Sequence, residues 1–152
     1  MDALKLIKSE HDMFKELLTK LDETTERAVK TRQETFARLK AELISHEEME
    51  EQIFYPALQE AREKAKDIVL EGYEEHHVAD LIVAELSALS VDEEQWSAKL
   101  SVLKESLEHH MEEEEGEMFA HARKAFDASE LEALGQQMKQ VKETKLRELK
   151  AA

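Results

Sequence analysis

Apolar residues recur every three or four positions along almost the whole chain, which is the spacing of one face of an α-helix. In the first segment this stripe runs from Leu4 to Leu21, and His11 occupies the position in it between Ile7 and Phe14. The pattern predicts five helices, at about residues 2–25, 31–63, 67–88, 93–126 and 129–149.

Short connections separate these helices, and residues that can cap a helix N-terminus stand at three of them. The predicted N-caps are Asp67, Asp92 and Ser129, the last in a capping box with Glu132. Four long helices with short connections predict an all-α fold, an up-down antiparallel four-helix bundle with an additional C-terminal helix. We divide the chain into the bundle, residues 1–126, and the C-terminal helix, residues 127–152, which packs on the bundle or extends from it.

Two residues are expected to disturb the long second and fourth helices. Pro56 lies inside the second helix, where its missing N–H leaves the carbonyl of Gln52 without its usual partner. We therefore predict a kink near Gln52. Gly116 is expected to loosen the fourth helix at the matching level.

An internal repeat relates the two halves of the chain. Residues 39–55 align without gaps on residues 103–119, and residues 10–21 align on residues 75–86, so the chain consists of two similar helical hairpins. The aligned pairs include Glu10 with Glu75, His11 with His76, His46 with His110, Glu50 with Glu114, Glu51 with Glu115 and Tyr55 with Phe119. Each hairpin thus supplies one His from its first helix and an H-x-x-x-E motif from its second.

These repeated polar residues lie on stripes that are otherwise apolar. Residues four apart lie on the same helix face, so His46 with Glu50 and His110 with Glu114 point toward the bundle interior. A buried ionised carboxylate is costly unless it is paired or bound to a cation, and two carboxylates with four His on matching levels favour a metal site. The predicted ligands are His11, His46, Glu50, His76, His110 and Glu114.

We assign these ligands to a centre of two ions. His11 and His46 hold one ion, His76 and His110 hold the other, and Glu50 and Glu114 bridge them. Imidazole with carboxylate and without thiolate suits Fe, Zn, Mn or Ni. The remaining candidates, as ligands or as partners of the ligands, are Tyr73, His77 and Asp80. The competing interpretation is an acidic bundle with buried polar networks and no metal.

Composition narrows the class of partner. The 152 residues carry a formal net charge of −15, which argues against nucleic acid and anionic membrane as partners. The absence of Cys excludes disulfides and thiolate sites and makes a cytoplasmic location the expectation. We find neither an apolar run that could span a bilayer nor a signal peptide at the start, and we expect a monomer or weak homodimer.

Four segments, EHDMFKELL, HEEMEEQIFYPAL, EHHVADLIVAEL and HHMEEEEGEMF, together resemble the hemerythrin-like (HHE cation-binding) proteins of bacterial type. The resemblance runs from residue 5 to about residue 126. It implies a non-haem di-iron centre, two iron ions with an oxo or hydroxo bridge, that binds or reacts with O₂, peroxide or NO. An iron or oxygen sensor, or an iron-binding protein without turnover, is the alternative, and enzymatic activity is left undecided. A ferritin-like oxidase ranks low because only Glu74 and His77 form its E-x-x-H motif.

The chain departs from the oxygen-carrying members in two motifs. Their third helix carries H-x-x-x-H, whereas Asp80 follows His76 here, and their fourth helix carries H-x-x-x-x-D, whereas Glu114 follows His110. Redox chemistry with peroxide or NO therefore gains weight over reversible O₂ carriage. Other polar residues of this region are assigned to the surface: His109, His121, Glu112, Glu113 and Glu115.

Overall fold

The computed structural model describes all residues, 1–152, and contains helices only. Two of the predicted long helices are each interrupted by a π-helical turn. The elements are α1 (Ala3–Asp22), α2 (Val29–Met49), a first π-helical turn (Glu50–Phe54), α3 (Tyr55–Ala61), a 3₁₀ turn (Glu63–Ala65), α4 (Lys66–Ala88), α5 (Glu94–Glu113), a second π-helical turn (Glu114–Met118), α6 (Phe119–Ala125) and α7 (Ala128–Ala151).

The two π-helical turns occupy repeat-related positions and begin at the two predicted ligand carboxylates. In the first turn the N–H of Tyr55 donates to the carbonyl of Glu50, and in the second the N–H of Phe119 donates to that of Glu114. At the position of the predicted kink, near Gln52, the helix therefore forms a π-helical turn. Since the second turn contains no proline, Pro56 is not required for this geometry. Such turns occur frequently at functional sites.

The three predicted N-caps are wrong. The N-cap of α7 lies two residues earlier than predicted, because Asp127 and Glu130, rather than Ser129 and Glu132, form the reciprocal capping box. Asp67 lies inside α4, and Glu93 rather than Asp92 precedes α5. The carboxylate of Asp2 accepts a hydrogen bond from the N–H of Lys5 at 2.8 Å and caps α1. Several acidic residues compete at each helix start, and the pattern of residue types does not discriminate between them.

Two apolar clusters fill the bundle, one at each end. The first surrounds Phe14 and Trp96, and the second surrounds Ile7 and Phe54. Burial of each large apolar side chain stabilises the fold by about 1.5–3 kcal/mol. His11 lies on α1 between Ile7 of one cluster and Phe14 of the other, so the bundle contains a polar layer between two apolar ones.

α7 packs along α1, α2 and the first π-helical turn. Met138 is fully buried in the second apolar cluster, and the backbone of Gly135 lies so close to that of Met1 and Asp2 that a Cβ at Gly135 would be 2.3 Å from the Met1 carbonyl oxygen. The predicted fold class, a four-helix bundle with an additional C-terminal helix, is confirmed. The division into two domains at residues 126 and 127 stays a prediction. No helix in the structure is both long and apolar enough to cross a membrane.

Candidate metal centre

The polar layer contains two groups of side chains that share both repeated glutamates. In each group, one potential ligand atom from every residue lies within 4.8 Å of the others. All the contributing side chains are buried. The first group is His11, His46, Glu50 and Glu114, and the second is Glu50, His76, His110 and Glu114.

The distances between the groups' nitrogen and oxygen atoms are short. His11 Nε2 lies 3.0 Å from Glu114 Oε1, and His46 Nε2 lies 3.2 Å from Glu50 Oε1. On the other side His76 Nε2 lies 3.1 Å from Glu50 Oε1, and His110 Nε2 lies 3.4 Å from Glu114 Oε2. Every imidazole therefore presents Nε2 to the centre, and each glutamate faces imidazoles of both groups.

Several of these atoms have no hydrogen-bond partner although they are buried and close together. They are His11 Nε2, His110 Nε2, Glu114 Oε1 and both carboxylate oxygens of Glu50. Buried polar atoms are almost always hydrogen-bonded, so atoms left unpaired in this way need another partner. Imidazole nitrogens and carboxylate oxygens that converge on one space are the donor set of a metal ion. The residues therefore fit a metal, and a purely polar network does not account for their orientation.

Four further glutamates form an outer ring around the centre. Each contacts one imidazole at Nδ1, on the side opposite to the centre. Each Nδ1 lies 2.7–2.9 Å from a carboxylate oxygen, which accepts the Nδ1–H, so the lone pair of the neutral imidazole would be on Nε2. The pairs are His46 with Glu10, His110 with Glu75, His76 with Glu51 and His11 with Glu115. The first two pairs lie within a hairpin and the last two join the hairpins, so the ring follows the repeat.

The ring corrects one prediction and adds residues that the sequence did not single out. Glu115 was assigned to the solvent, but it contacts His11 and its side chain is only 22% exposed. The available signal was the repeat itself, since Glu10 matches Glu75 and Glu51 matches Glu115. Identity at matching positions does not say which imidazole each glutamate contacts.

The electrostatics of the layer favour positive charge at Nε2. Burial by itself lowers the pKa of His46, but the carboxylates of Glu50 and Glu10 outweigh it and raise the pKa to about 10. For His76, burial also lowers the pKa, and the adjacent carboxylates of Glu50 and Glu51 raise it to about 9. Burial opposes ionisation of Glu114, but His110 and His11 hold its pKa well below the usual range. The centre thus attracts protons strongly in the metal-free chain, and a cation can take their place.

Tyr55 contributes a hydroxyl that the sequence did not reveal. Its Oη donates to Glu114 Oε2 at 2.5 Å and lies 3.3 Å from His76 Nε2. Burial and the charge of Glu114 raise the pKa of this phenol well above its usual value, so it keeps its proton. Gly72 makes room for the ring, because a Cβ there would lie 2.9 Å from Tyr55 Oη. Phe119 occupies the matching position of the second hairpin in the repeat, so only the first hairpin supplies a hydroxyl there.

Three lower-ranked candidates lie outside both groups. The ring of Tyr73 packs edge-on against Tyr55, and its hydroxyl lies 3.5 Å from the Glu51 carbonyl. His77 is exposed. Asp80 is also exposed and lies near Glu47. Burial raises the pKa of Glu47 to about 9, and the neighbouring carboxylate of Asp80 adds to this rise. Tyr73 therefore packs against Tyr55, which contacts the centre, and His77 and Asp80 lie on the surface.

The remaining histidines also lie away from the centre. His109 is exposed and lies 3.1 Å from Glu113, with Glu75 nearby. His121 accepts a hydrogen bond from Arg62 at 2.8 Å and is half-buried.

A helical bundle whose interior gathers four imidazoles and two carboxylates belongs to the class of bundles that hold cations in their core. The sequence profile of the family described as "Hemerythrin HHE cation binding domain" matches residues 2–122. The chain belongs to this family, as its motifs predicted.

A solved structure supports the same conclusion. The chain is similar to the crystal structure of a hemerythrin HHE cation binding domain-containing protein from Mycobacterium kansasii, with a TM-score of 0.85 and 26% identity. The match covers 97% of this chain and 89% of that one, so it includes α7. No curated protein matches the chain.

Proposed function

We propose that the chain binds two iron ions in the polar layer and reacts there with a small oxidant, namely peroxide, O₂ or NO. The observation that carries this proposal is the pair of four-residue groups that share Glu50 and Glu114. Two groups with shared carboxylates suit two neighbouring ions rather than one. The proposed ligands are His11 and His46 for one ion, His76 and His110 for the other, and both glutamates between them.

The number of protein ligands supports a reactive centre rather than a closed structural one. Each ion would have about four protein ligands, which is a complete set for structural zinc but leaves open positions on an ion of octahedral preference. When bound, two iron ions supply the redox chemistry that an oxidant requires. The imidazoles and their carboxylates keep the centre oriented, and the surrounding apolar clusters exclude bulk water.

Tyr55 supports oxidant chemistry on the side of His76. Its hydroxyl keeps a proton at Oη, 2.5 Å from Glu114 Oε2 and 3.3 Å from His76 Nε2, and would donate a hydrogen bond to a small molecule bound on this side. Decomposition of two H₂O₂ to two H₂O and one O₂ balances without another reductant. Peroxide is therefore the oxidant that the protein can be tested with alone.

We propose a small molecule as the partner and the cytoplasm as the location, and a monomer or weak homodimer as the working form. The net charge of −15 disfavours nucleic acid and anionic membrane. A sensor or an iron-binding protein without turnover is the second candidate, because α7 contacts Glu10, which holds the imidazole of His46.

The test is metal quantitation on protein from iron-replete cells, with an absorption spectrum and an assay of peroxide decomposition. About two irons per chain and a near-ultraviolet absorption band support the proposal. Stoichiometric zinc without that band contradicts the iron assignment. Two irons without peroxide, O₂ or NO chemistry would leave the sensor as the function.

A further inference from the structure

The C-terminal helix places one cation against the ring of glutamates. α7 runs along α1 and α2, and its Lys142 side chain is only 12% exposed. The ammonium group pairs with Glu10 of α1 and, at 2.8 Å, with Glu42 of α2. A charged group at this depth costs free energy unless it is paired, so the two carboxylates hold it there.

Through Glu10, this lysine reaches the candidate metal centre. One oxygen of Glu10 receives Lys142, and the other accepts the Nδ1–H of His46 at 2.9 Å. The opposite nitrogen of His46 faces Glu50. A continuous chain of polar contacts therefore runs from α7 to the centre.

The contact matters because a ligating imidazole must be neutral at Nε2 and keep its proton on Nδ1. Glu10 accepts the hydrogen bond from Nδ1 with one oxygen and holds Lys142 with the other, and the residue is only 5% exposed. When a metal holds a neutral His46, Lys142 is the group that balances the charge of Glu10. Its position also fixes the direction in which Glu10 points.

None of the other three carboxylates of the ring has a buried cation from α7. Glu115 pairs with Lys8, whose side chain is 47% exposed. Glu75 faces the exposed His109, and Glu51 has no lysine or arginine within ion-pair distance. In the repeat Ser106 stands where Glu42 does, so the second hairpin lacks the pair of carboxylates that receives Lys142.

We propose that Lys142 is a positioning residue for the metal centre, and that docking of α7 and metal occupancy of the His11 and His46 position stabilise each other. This inference rests on the proposed function, because it requires that the polar layer bind metal. Coupling of this kind is reciprocal. Bound metal increases the equilibrium constant for docking of α7 by the same factor by which docked α7 increases the affinity for the metal. The two metal positions consequently differ in affinity.

The first experiment compares Lys142→Met with Lys139→Met, an exposed lysine on the same helix. Ferrous ion is titrated anaerobically into the metal-free proteins against a chelator of known affinity, and folding is checked by circular dichroism. We expect Lys142→Met to weaken one of two binding steps by about ten- to a hundredfold and leave the other unchanged. Lys139→Met should bind like the wild type, and Lys142→Arg should restore most of the loss.

The second experiment needs no variant and remains informative if Lys142→Met does not fold. Hydrogen exchange of residues 128–151 is measured in the wild type with and without ferrous ion. We expect metal to slow exchange in α7 near Lys142 by about tenfold or more. Exchange in α4, which carries the proposed ligand His76, should slow whether or not α7 is coupled to the centre, and it therefore reports that metal has bound.

The outcomes separate the two proposals. A wild type that binds no metal contradicts the proposed function. A wild type that binds two ions, with α7 exchange unaffected by metal and with identical titrations for both lysine variants, overturns the coupling alone. Equal weakening of both steps by Lys142→Met would also overturn it, because the effect would then be general.

Discussion

The first hairpin, α1 to α3, and the second, α4 to α6, place the same residues at the centre in different surroundings. Each contributes two imidazoles and one inward carboxylate, and each begins a π-helical turn at that carboxylate. Outside this inner layer the hairpins differ. The first is covered by α7 and supplies Tyr55, whereas the second is open to solvent at His109 and has Phe119 instead of a tyrosine.

This difference distinguishes the residues of the site that repeat in both hairpins from those that occur in only one part of the chain. The repeated residues would hold metal on both sides in the same way. The residues that do not repeat, Tyr55 and Lys142, make the two sides chemically unequal. We infer that the repeated residues bind the metal. The residues that do not repeat, Tyr55 and Lys142, would set the reactivity of the centre and the difference in affinity between its two positions.

The largest effect is expected when the element common to both hairpins is removed. Replacing Glu50 and Glu114 with Ala in one protein takes away both shared carboxylates, and metal content should fall from about two ions per chain to near zero. Elemental analysis of purified protein measures this. The matched control replaces Glu48 and Glu112, a repeat-related pair outside both groups, and should keep its metal. Unchanged metal in the first variant would refute our ligand assignment.

The metal-free protein should lose stability as pH rises from about 6.5 to 10. His46 and His76 have pKa values of about 10 and 9 in the fold and near 6.5 in the unfolded chain. Their contribution is therefore fully present below pH 6.5 and is lost as the pH passes through the folded values. We expect a decrease of at least about 2 kcal/mol in the free energy of unfolding.

Urea unfolding with a chelator present, at several pH values, measures that decrease. In metal-loaded protein the free energy of unfolding should change less with pH over this range, because a ligating nitrogen carries no proton. A metal-free protein whose stability is flat over this range would contradict the network of imidazoles and carboxylates described above.

Tyr55→Phe should change reactivity without changing metal content, which tests the inequality of the hairpins directly. Loss of the hydroxyl removes a proton donor that touches Glu114, and we expect at least a tenfold slower decomposition of peroxide. Tyr73→Phe is the control, since its hydroxyl reaches only a backbone carbonyl at 3.5 Å. Equal rates for the two variants would place Tyr55 among the purely structural residues.

The smallest effect is expected from His109→Ala. His109 lies with Glu75 and Glu113 in a partly exposed cluster that resembles a ligand set by composition. Because His109 itself is exposed and water can solvate it, we expect metal stoichiometry to stay the same and affinity to change by less than about twofold. A third ion per wild-type chain that disappears in the variant would show that the open hairpin binds metal itself.

The sequence supported the inner layer well because helix geometry is local. A spacing of four residues places His46 beside Glu50 and His110 beside Glu114 on one helix face, however the helices pack. The repeat produces the same pair in both hairpins. The outer ring could not be predicted in the same way. Glu115 reaches His11 across 104 positions of the chain, and no periodicity encodes which helix lies opposite.

The amino-acid sequence was enough to predict the helical bundle, the family and the residues that the two hairpins have in common. Apolar spacing and short-range side-chain geometry are enough for these features. The tertiary structure was needed to show which glutamate holds which imidazole, that Tyr55 rather than Tyr73 reaches the centre, and that α7 packs along the first hairpin. These depend on helix rotation and on close packing, such as the space that Gly72 leaves for Tyr55, and both arise only when all helices are in place.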